Sequence, residues 1–410
     1  MDIKHACQTG NLRWLKEQQA AGTLVDIATA FPSAVKTAAE NGFLEVVAWL
    51  VKDYNDWLAA SGPTSARFTK TLVDATINDN EAVRVAARNG HLDIVKWLVK
   101  ESRQAVDVTA CNNVAVQLAS RNGHLDVVRW LVKESGQPVD VTAVSNRALR
   151  LAAENGHLDV VKWLVLESGQ NVDVAAGESH AVRWATANGH LDVVKWFVTE
   201  YNDWVVKQKR QHPCGAVKPV NILDDDYYIL RWAVHYGHLA IVQWIVNGSG
   251  LPVDLTADEN SLLQLAAGQG HLELIKWLVK ESGQALAVTT AGNRALHSAV
   301  TAGHLDIIKW LVKESGQAVN VTLLNNFAVR RAANEGYLDI VRWFIEDSGQ
   351  LIDCRDCENW EVVFKFQDWN EDVQDYLSHV KELQEILGLD EWRLGLKLLT
   401  ATKRRASLHV

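Results

Sequence analysis

Apolar residues recur along the chain at helical spacing, in short segments that a glycine separates. In the most regular copy, Leu158, Val161 and Leu164 fall on one face of a segment, which predicts an amphipathic helix. A shorter apolar segment precedes it, with Asn146 as the expected N-cap and Gly156 as the residue that ends the helix. The pattern therefore predicts two short helices joined by a turn at Gly156.

This two-helix pattern occurs ten times, and most copies lie 33 residues apart. Each copy has a leucine two residues after its glycine and a tryptophan two to five residues after the leucine. The glycines are Gly10, Gly42, Gly90, Gly123, Gly156, Gly189, Gly237, Gly270, Gly303 and Gly336. A fixed period of this length indicates stacked units that share one continuous core. We therefore predict an all-α helix–turn–helix solenoid of about ten repeats over residues 1–352.

Two of the intervals between glycines are 48 residues long, because insertions occur near residues 54–71 and 201–218. Both insertions begin with Tyr-Asn-Asp-Trp, at positions 54–57 and 201–204. We expect the second helix to continue past its tryptophan in each, before a loop with Gly and Pro returns the chain. The insertions serve either as paired docking elements or as inherited features without a function of their own.

The repeat pattern fades after Gly336. Residues 353–410 keep some of the apolar spacing without the glycine and histidine, which predicts a degenerate helical cap followed by a C-terminal helix near residues 390–402. The tail around Ser407 is similar to a site for basophilic kinases. Cys354 and Cys357 have the spacing of a metal or redox pair, but no second pair lies nearby, so two ordinary thiols are the favoured interpretation.

The segment Leu-Ala-Ala-Glu-Asn-Gly-His-Leu-Asp-Val-Val-Lys at positions 151–162 resembles the centre of an ankyrin repeat. The resemblance extends over roughly residues 1–352 and implies a protein-binding fold with the first helices along a concave groove. The chain departs from the family in the loop that follows the second helix, which reads Ser-Gly-Gln-Asn-Val-Asp-Val at 168–174. We therefore expect compact loops, with isolated β-bridges at most, in place of the protruding β-hairpins.

Tryptophan and histidine recur at fixed positions in the repeats. The tryptophans are Trp49, Trp97, Trp130, Trp163, Trp196, Trp244, Trp277, Trp310 and Trp343. They form either a stacking platform for a ligand or packing between repeats, and their apolar neighbours favour packing. The histidines that follow the glycines are His91, His124, His157, His190, His238, His271 and His304. They have no partner at a metal-ligand spacing, so we predict turn residues that hydrogen-bond to backbone, and no metal.

The composition is that of an ordinary globular protein, with 48% hydrophobic and 22% charged residues. No apolar run approaches the roughly 18 residues of a membrane span, and the polar start of the chain lacks a secretory signal. We therefore expect a monomer without a membrane association, located in the cytoplasm or, for an effector, in the host cytoplasm. The net charge of −9 argues against nucleic acid as a partner.

Three positions of the first helix share one face, namely nine, six and two residues before the glycine. In the eight repeats from Glu81 onward these positions hold nine arginines against two glutamates. The predicted partner-binding residues are Arg84, Arg88, Arg121, Arg147, Arg150, His180, Arg183, Tyr228, Arg231, His235, Arg294, His297, Phe327 and Arg330. Guanidinium groups pair with carboxylates or phosphates, so this face predicts an acidic partner.

Five of these arginines occupy the position six residues before the glycine, where the family has histidine. They are Arg84, Arg150, Arg183, Arg231 and Arg330. They either contribute to a basic groove or hydrogen-bond to neighbouring loops, and the sequence leaves both interpretations open.

The sequence contains no nucleophile elbow, phosphate loop or set of metal ligands outside the repeat pattern. We therefore predict no catalytic residues and no cofactor. The favoured function is an interaction scaffold that binds an acidic or phosphorylated protein segment in its groove. The alternative is an adaptor, or a host-directed effector, whose repeats bring residues 353–410 to a signalling or ubiquitin-ligase complex. The effector role is implied only by the resemblance to ankyrin arrays of protists, large viruses and host-associated bacteria.

Overall fold

The computed structural model describes residues 2–23, 27–60, 71–211, 218–220, 224–354 and 372–386. The chain divides into two compact units, Met1–Ile222 (unit 1) and Leu223–Val410 (unit 2). Over the described ranges the regular elements are helices, and no strand is present. Ten helix pairs are described, which confirms the predicted all-α repeat fold. None of the described helices is long and apolar enough to cross a bilayer.

The first helices carry the positions predicted to bind a partner. In unit 1 they are Ile3–Thr9, Ala34–Glu40, Ile77–Arg88, Ala110–Arg121, Ala143–Glu154 and Ala176–Ala187. In unit 2 they are Asp224–His235, Ala257–Gln269, Thr290–Ala302 and Leu323–Asn334.

The second helices carry the tryptophans. They are Leu12–Ala20, Leu44–Ala48, Leu92–Lys100, Leu125–Lys133, Leu158–Leu166 and Leu191–Trp196 in unit 1. In unit 2 they are Leu239–Asn247, Leu272–Lys280, Leu305–Lys309 and Leu338–Arg342. Four of them continue as π-helical turns, Trp49–Asp53, Phe197–Tyr201, Trp310–Glu314 and Trp343–Asp347. Helices Tyr54–Ala60 and Asn202–Gln211 follow the first two of these turns, and a short helix, Ile27–Ala30, and a last helix, 372–386, complete the described elements.

The tryptophans pack inside the repeats rather than forming an exposed platform. In the Gly156 repeat, named by the glycine between its helices, Trp163 is 4% exposed beside the fully buried Val161 and Leu164. The tryptophans Trp49, Trp130, Trp196, Trp277, Trp310 and Trp343 are also buried, and Trp97 and Trp244 are half-buried. The packing interpretation of these residues is therefore confirmed.

The glycine and the histidine of the motif act together across neighbouring repeats. Gly156 has φ of +77°, and a Cβ there would lie 2.5 Å from Nδ1 of His190 in the next repeat. The imidazole Nε2 of His190 donates to the carbonyl oxygen of Glu154, 2.9 Å away. Comparable bonds to the preceding repeat are made by His91, His271 and His304. The motif therefore needs glycine both for a left-handed backbone and for space. The predicted bonding of histidine to backbone is confirmed for His91, His190, His271 and His304.

In several repeats the first helix begins with a left-handed turn. In the Gly156 repeat Val144, Ser145 and Asn146 have φ of 55°, 56° and 57°, and the same turn recurs in the Gly90, Gly123, Gly270 and Gly303 repeats. The prediction that Asn146 caps the helix is wrong, because its Nδ2 donates to the Asp173 carbonyl oxygen of the next repeat at 3.1 Å. Left-handed backbone costs about 1–2 kcal/mol for each residue other than glycine, so other interactions must hold this turn.

Adjacent repeats are joined by a glutamine that bonds to the extended segment of the repeat before it. The side-chain Nε2 of Gln137 donates to the Val106 carbonyl oxygen at 2.8 Å. Its Oε1 accepts a hydrogen bond from the Val108 amide at 3.0 Å. We call this pair of bonds a glutamine bridge. One side chain thus satisfies a backbone acceptor and a backbone donor, as a neighbouring β-strand would.

The glutamine bridge recurs along both units. It is formed by Gln104 with Val73 and Ala75, Gln170 with Val139 and Val141, Gln284 with Val253 and Leu255, Gln317 with Leu286 and Val288, and Gln350 with Val319 and Val321. The expected compact loops are therefore present. In the described loops the glutamine bridge replaces the isolated β-bridges that the sequence allowed.

Each insertion begins with a clamp made by the asparagine of Tyr-Asn-Asp-Trp. Asn202 donates from Nδ2 to the Val220 carbonyl oxygen at 2.7 Å and accepts from the Val220 amide at 2.8 Å. Asn55 makes the same two bonds to Val73. The second helix continues past its tryptophan as Tyr54–Ala60 and Asn202–Gln211, as predicted. The shared motif therefore fastens the returning chain, while residues 61–70 and 212–217 lie outside the described residues.

Helix 372–386 packs against the last repeat and supplies one more glutamine bridge. Gln384 is 1% exposed and bonds to the Ile352 carbonyl oxygen and the Cys354 amide, both at 2.8 Å. The hydroxyl of Tyr376 donates to Glu346 at 2.6 Å. Burial, together with the Glu346 carboxylate, raises the pKa of Tyr376, so the phenol keeps its proton. The C-terminal cap stays a prediction, and the helix near 390–402, Cys357 and Ser407 lie outside the described residues.

Replacing Gln137 with alanine is expected to lower the free energy of unfolding by about 2–4 kcal/mol. The substitution leaves the Val106 carbonyl and the Val108 amide without their partner. Urea unfolding followed by tryptophan fluorescence measures the loss. Gln269→Ala is the matched control, because the side chain of Gln269 is exposed and makes no hydrogen bond to any described residue. Equal stability of the two variants would show that the bridge contributes nothing.

Replacing Asn202 with alanine is expected to cost about 1–3 kcal/mol, because both backbone groups of Val220 lose their partner. Thermal unfolding followed by circular dichroism reports the change. Asn171→Ala serves as control, since Asn171 is exposed and forms no hydrogen bond within the described part of the chain. An Asn202→Ala protein as stable as this control would contradict the clamp.

Candidate functional site

The predicted binding positions lie along the first helices of both units. Neighbouring first helices approach one another more closely than neighbouring second helices do. A stack of helix pairs packed in this way curves with the first helices on its concave side. We call this surface the inner face, and it is treated separately for unit 1 and unit 2.

The fourteen predicted residues differ widely in exposure. Arg121, Arg147, His235 and Arg294 are exposed. Arg183 and Arg330 are buried, with 9% and 7% of their surface exposed. The remaining eight, Arg84, Arg88, Arg150, His180, Tyr228, Arg231, His297 and Phe327, are half-buried.

The arginines six residues before the glycine hold the left-handed turn of their own repeat. Arg84 donates from Nη2 to the Asn78 carbonyl oxygen at 2.7 Å, Arg150 to that of Val144 at 3.1 Å, and Arg330 to that of Leu324 at 3.3 Å. Gln117 and Gln264, at the same position in other repeats, donate to the carbonyl oxygens of Asn112 and Glu259. The structure thus supports the loop-bonding interpretation for these three arginines.

Arg231, at the same position of its repeat, bonds differently. Arg231 donates from Nη1 to the hydroxyl oxygen of Ser261 in the next repeat, 3.2 Å away. A hydroxyl, like a carbonyl, satisfies an N–H donor without cancelling the positive charge of the guanidinium.

Two of the exposed or half-buried arginines are already paired with carboxylates. Arg88 lies 2.6 Å from Glu40, and Arg294 lies 2.8 Å from Glu259. The side chains of Arg121 and Arg147 form no ion pair or hydrogen bond with any residue that the structure describes. The strongest available cations of the unit 1 inner face are therefore Arg121 and Arg147.

His297 adds an apolar contact rather than a charge. Its ring centroid lies 4.5 Å from that of Phe327 on the neighbouring first helix. Burial lowers the pKa of His297, which keeps the imidazole neutral near neutral pH. These two predicted residues are brought together by the structure, and they form an aromatic contact on the unit 2 inner face.

Three aromatic residues outside the predicted set lie on the first helices or in the turn that follows them. Trp184 and Trp232 each lie five residues before their glycine, and Tyr236 lies one residue before it. Trp184 is 40% exposed and Tyr236 is 44% exposed. The signal was present, because the position five before the glycine shares a face with the positions nine and two before it.

The described residues contain no group of three or more His, Cys, Asp or Glu side chains placed to hold a metal ion. Cys354 is buried, and its backbone amide takes part in the last glutamine bridge.

Comparison with known families gives one result. A family profile described as ankyrin repeats (3 copies) matches residues 3–145, 83–176, 230–325 and 263–356. No curated protein matches the chain. The matched ranges cover well over half of the chain and include helices of both units.

Replacing Arg150 with glutamine is expected to change the free energy of unfolding by less than about 0.5 kcal/mol, whereas Arg150→Ala is expected to cost about 1–2 kcal/mol. Glutamine already performs this role at Gln117 and Gln264. Alanine leaves the left-handed turn without its side-chain donor. Urea unfolding of both variants checks the difference, and an equal loss in both would contradict the role assigned to Arg150.

Proposed function

The chain belongs to the ankyrin repeat family, and we propose that it is a non-enzymatic scaffold whose unit 1 inner face binds an acidic or phosphorylated segment of a partner protein. Ankyrin repeats are protein–protein interaction modules, so the class of partner follows from the family. The negative charge of the partner is inferred from the arginines of this chain.

The observation that carries the proposal is the exposure of Arg121 and Arg147 without a carboxylate partner among the described residues. A guanidinium can bond two oxygens of a carboxylate or phosphate at once, and such charge-assisted pairs are stronger than neutral hydrogen bonds. Arg150, three residues after Arg147 on the same helix, adds a positive charge that the Val144 carbonyl oxygen does not neutralise.

Four aspartates of the same unit lie on the second helices and not on the inner face. Asp93, Asp126, Asp159 and Asp192 are exposed in the first turn of the second helices, where the helix dipole stabilises a negative charge. The same second helices carry Lys96, Arg129, Lys162 and Lys195, so they contribute no net negative charge. In the four repeats from Gly90 to Gly189 the three inner-face positions of the first helices hold six arginines and two glutamates. This excess of arginine gives a chain of net charge −9 a basic binding surface.

A charge-reversal variant tests the proposal. The probe is a fluorescein-labelled peptide that alternates Glu with Gly and Ser, with a Gln counterpart and a phosphoserine counterpart. Binding of the full chain is measured by fluorescence anisotropy at low and at physiological ionic strength. Arg121→Glu with Arg147→Glu is expected to weaken binding of the two anionic peptides by about tenfold or more. Salt is expected to weaken binding to the wild type.

The matched control is Lys52→Glu with Lys96→Glu, which makes the same change in net charge on exposed residues outside the first helices. This control is expected to bind like the wild type. Circular dichroism verifies that both variants are folded. Three outcomes would each overturn the proposal. The Gln peptide could bind as tightly as the anionic peptides, neither anionic peptide could bind, or the control could lose as much affinity as the arginine variant.

The adaptor alternative, the monomeric state and the cytoplasmic location stay predictions.

A further inference from the structure

A row of aromatic rings follows one face of the first helix of unit 2, Asp224–His235, and the turn after it. Tyr228, Trp232 and Tyr236 are spaced four residues apart, so successive rings lie one helical turn from each other. The ring centroids are 5.5 Å apart for the first pair and 5.6 Å for the second, with interplanar angles of 40° and 41°. No other first helix of the described chain carries three such residues at this spacing.

A cavity of about 310 Å³ lies against this row. It is lined by Tyr228, Arg231, Trp232, His235, Tyr236 and, from the next repeat, Leu265. Ligand pockets in proteins begin at about 300 Å³, so the space suits one large side chain and its neighbour rather than a whole cofactor. The rim is open, because His235 and Tyr236 are exposed.

One cationic side chain, Arg231, lines this largely aromatic cavity. Arg231 uses one N–H group to bond Ser261, and a guanidinium has five N–H donors in all. Among the described side chains no carboxylate forms an ion pair with Arg231. The cavity therefore combines aromatic walls with a planar cation whose other donors suit an anion.

We infer that this cavity binds an apolar side chain that is directly followed by a carboxylate in a partner segment, with phenylalanine before aspartate as the simplest example. The three rings and Leu265 bury the apolar group, and aromatic pairs at such spacing favour an aromatic one. Arg231 takes the carboxylate. A cationic ligand, which aromatic rings alone would attract, is repelled by the guanidinium.

The cavity is separate from the surface assigned to the acidic segment. It lies in unit 2, whereas Arg121 and Arg147 lie in unit 1. The equivalent helix of the Gly189 repeat carries Trp184 at the same position as Trp232, but His180 and Asn188 stand where the two tyrosines are. Trp184 therefore provides a control of the same residue type and register without the row of rings.

The experiment uses the full chain and three short fluorescein-labelled peptides in a Gly-Ser background. One contains Phe followed by Asp, one has Ala in place of Phe, and one has Asn in place of Asp. Fluorescence anisotropy gives the affinity of each for the wild type and for Tyr236→Ala, Arg231→Gln and Trp184→Ala. Tyr236 is 44% exposed and glutamine keeps an amide donor for Ser261, so both site variants are expected to fold, which circular dichroism verifies.

The Phe-Asp peptide is expected to bind the wild type about fivefold to tenfold more tightly than either altered peptide. Tyr236→Ala and Arg231→Gln are each expected to weaken it by a similar factor, and Trp184→Ala to leave it unchanged. Arg231→Gln is expected to have no effect on the Asn peptide, because the interaction that it removes is already absent.

Three outcomes would overturn the inference. They are absence of binding, equal affinity for the three peptides, and a loss in Trp184→Ala as large as that in Tyr236→Ala. The protein with both Arg121→Glu and Arg147→Glu is expected to bind the Phe-Asp peptide like the wild type. If the Phe-Asp peptide does not bind the cavity, the proposed function in unit 1 still stands. If the acidic peptides do not bind unit 1, the inference about the cavity still stands.

Discussion

The glutamine bridge is the interaction on which the array depends. Each two-helix unit leaves an extended segment whose amide and carbonyl groups need partners once they are buried. The ankyrin family commonly meets this need with β-hairpins, and here one amide side chain from the next repeat does so. Because Val106 and Val108 bond to Gln137, the positions of neighbouring units are fixed by two directional bonds as well as by apolar packing.

The same solution shapes the binding surface. In the Gly90, Gly123, Gly156, Gly270 and Gly336 repeats, the residue six before the glycine holds the left-handed turn of the first helix, so it is not free to vary with the partner. Where the chain uses arginine for this purpose, as at Arg150, a positive charge remains on the inner face as a by-product of a structural bond. The residues nine and two positions before the glycine do not hold this turn, and the repeats differ most at these two positions.

Much of the fold follows from the sequence because apolar period and glycine spacing report directly on helices and their ends. The roles of tryptophan and histidine were also predictable from their neighbours. The glutamine bridge was not inferred, although Gln137 and Gln170 recur in register, because a polar residue in a loop gives no sign of being buried. Asn146 misled for a related reason, since its side chain bonds across the repeat boundary. In both cases the direction of the side chain decides which hydrogen bond forms, and helical periodicity does not reveal that direction.

A glutamine bridge also bears on how such a chain changes over generations. The amide recognises only main-chain atoms of its neighbour, which are the same whatever residue stands there. A repeat carrying its own glutamine can thus follow almost any other repeat, and unequal recombination can add or delete whole units without compensating substitutions. The two Tyr-Asn-Asp-Trp insertions, 147 residues apart, have the spacing that a duplicated block of four repeats would leave.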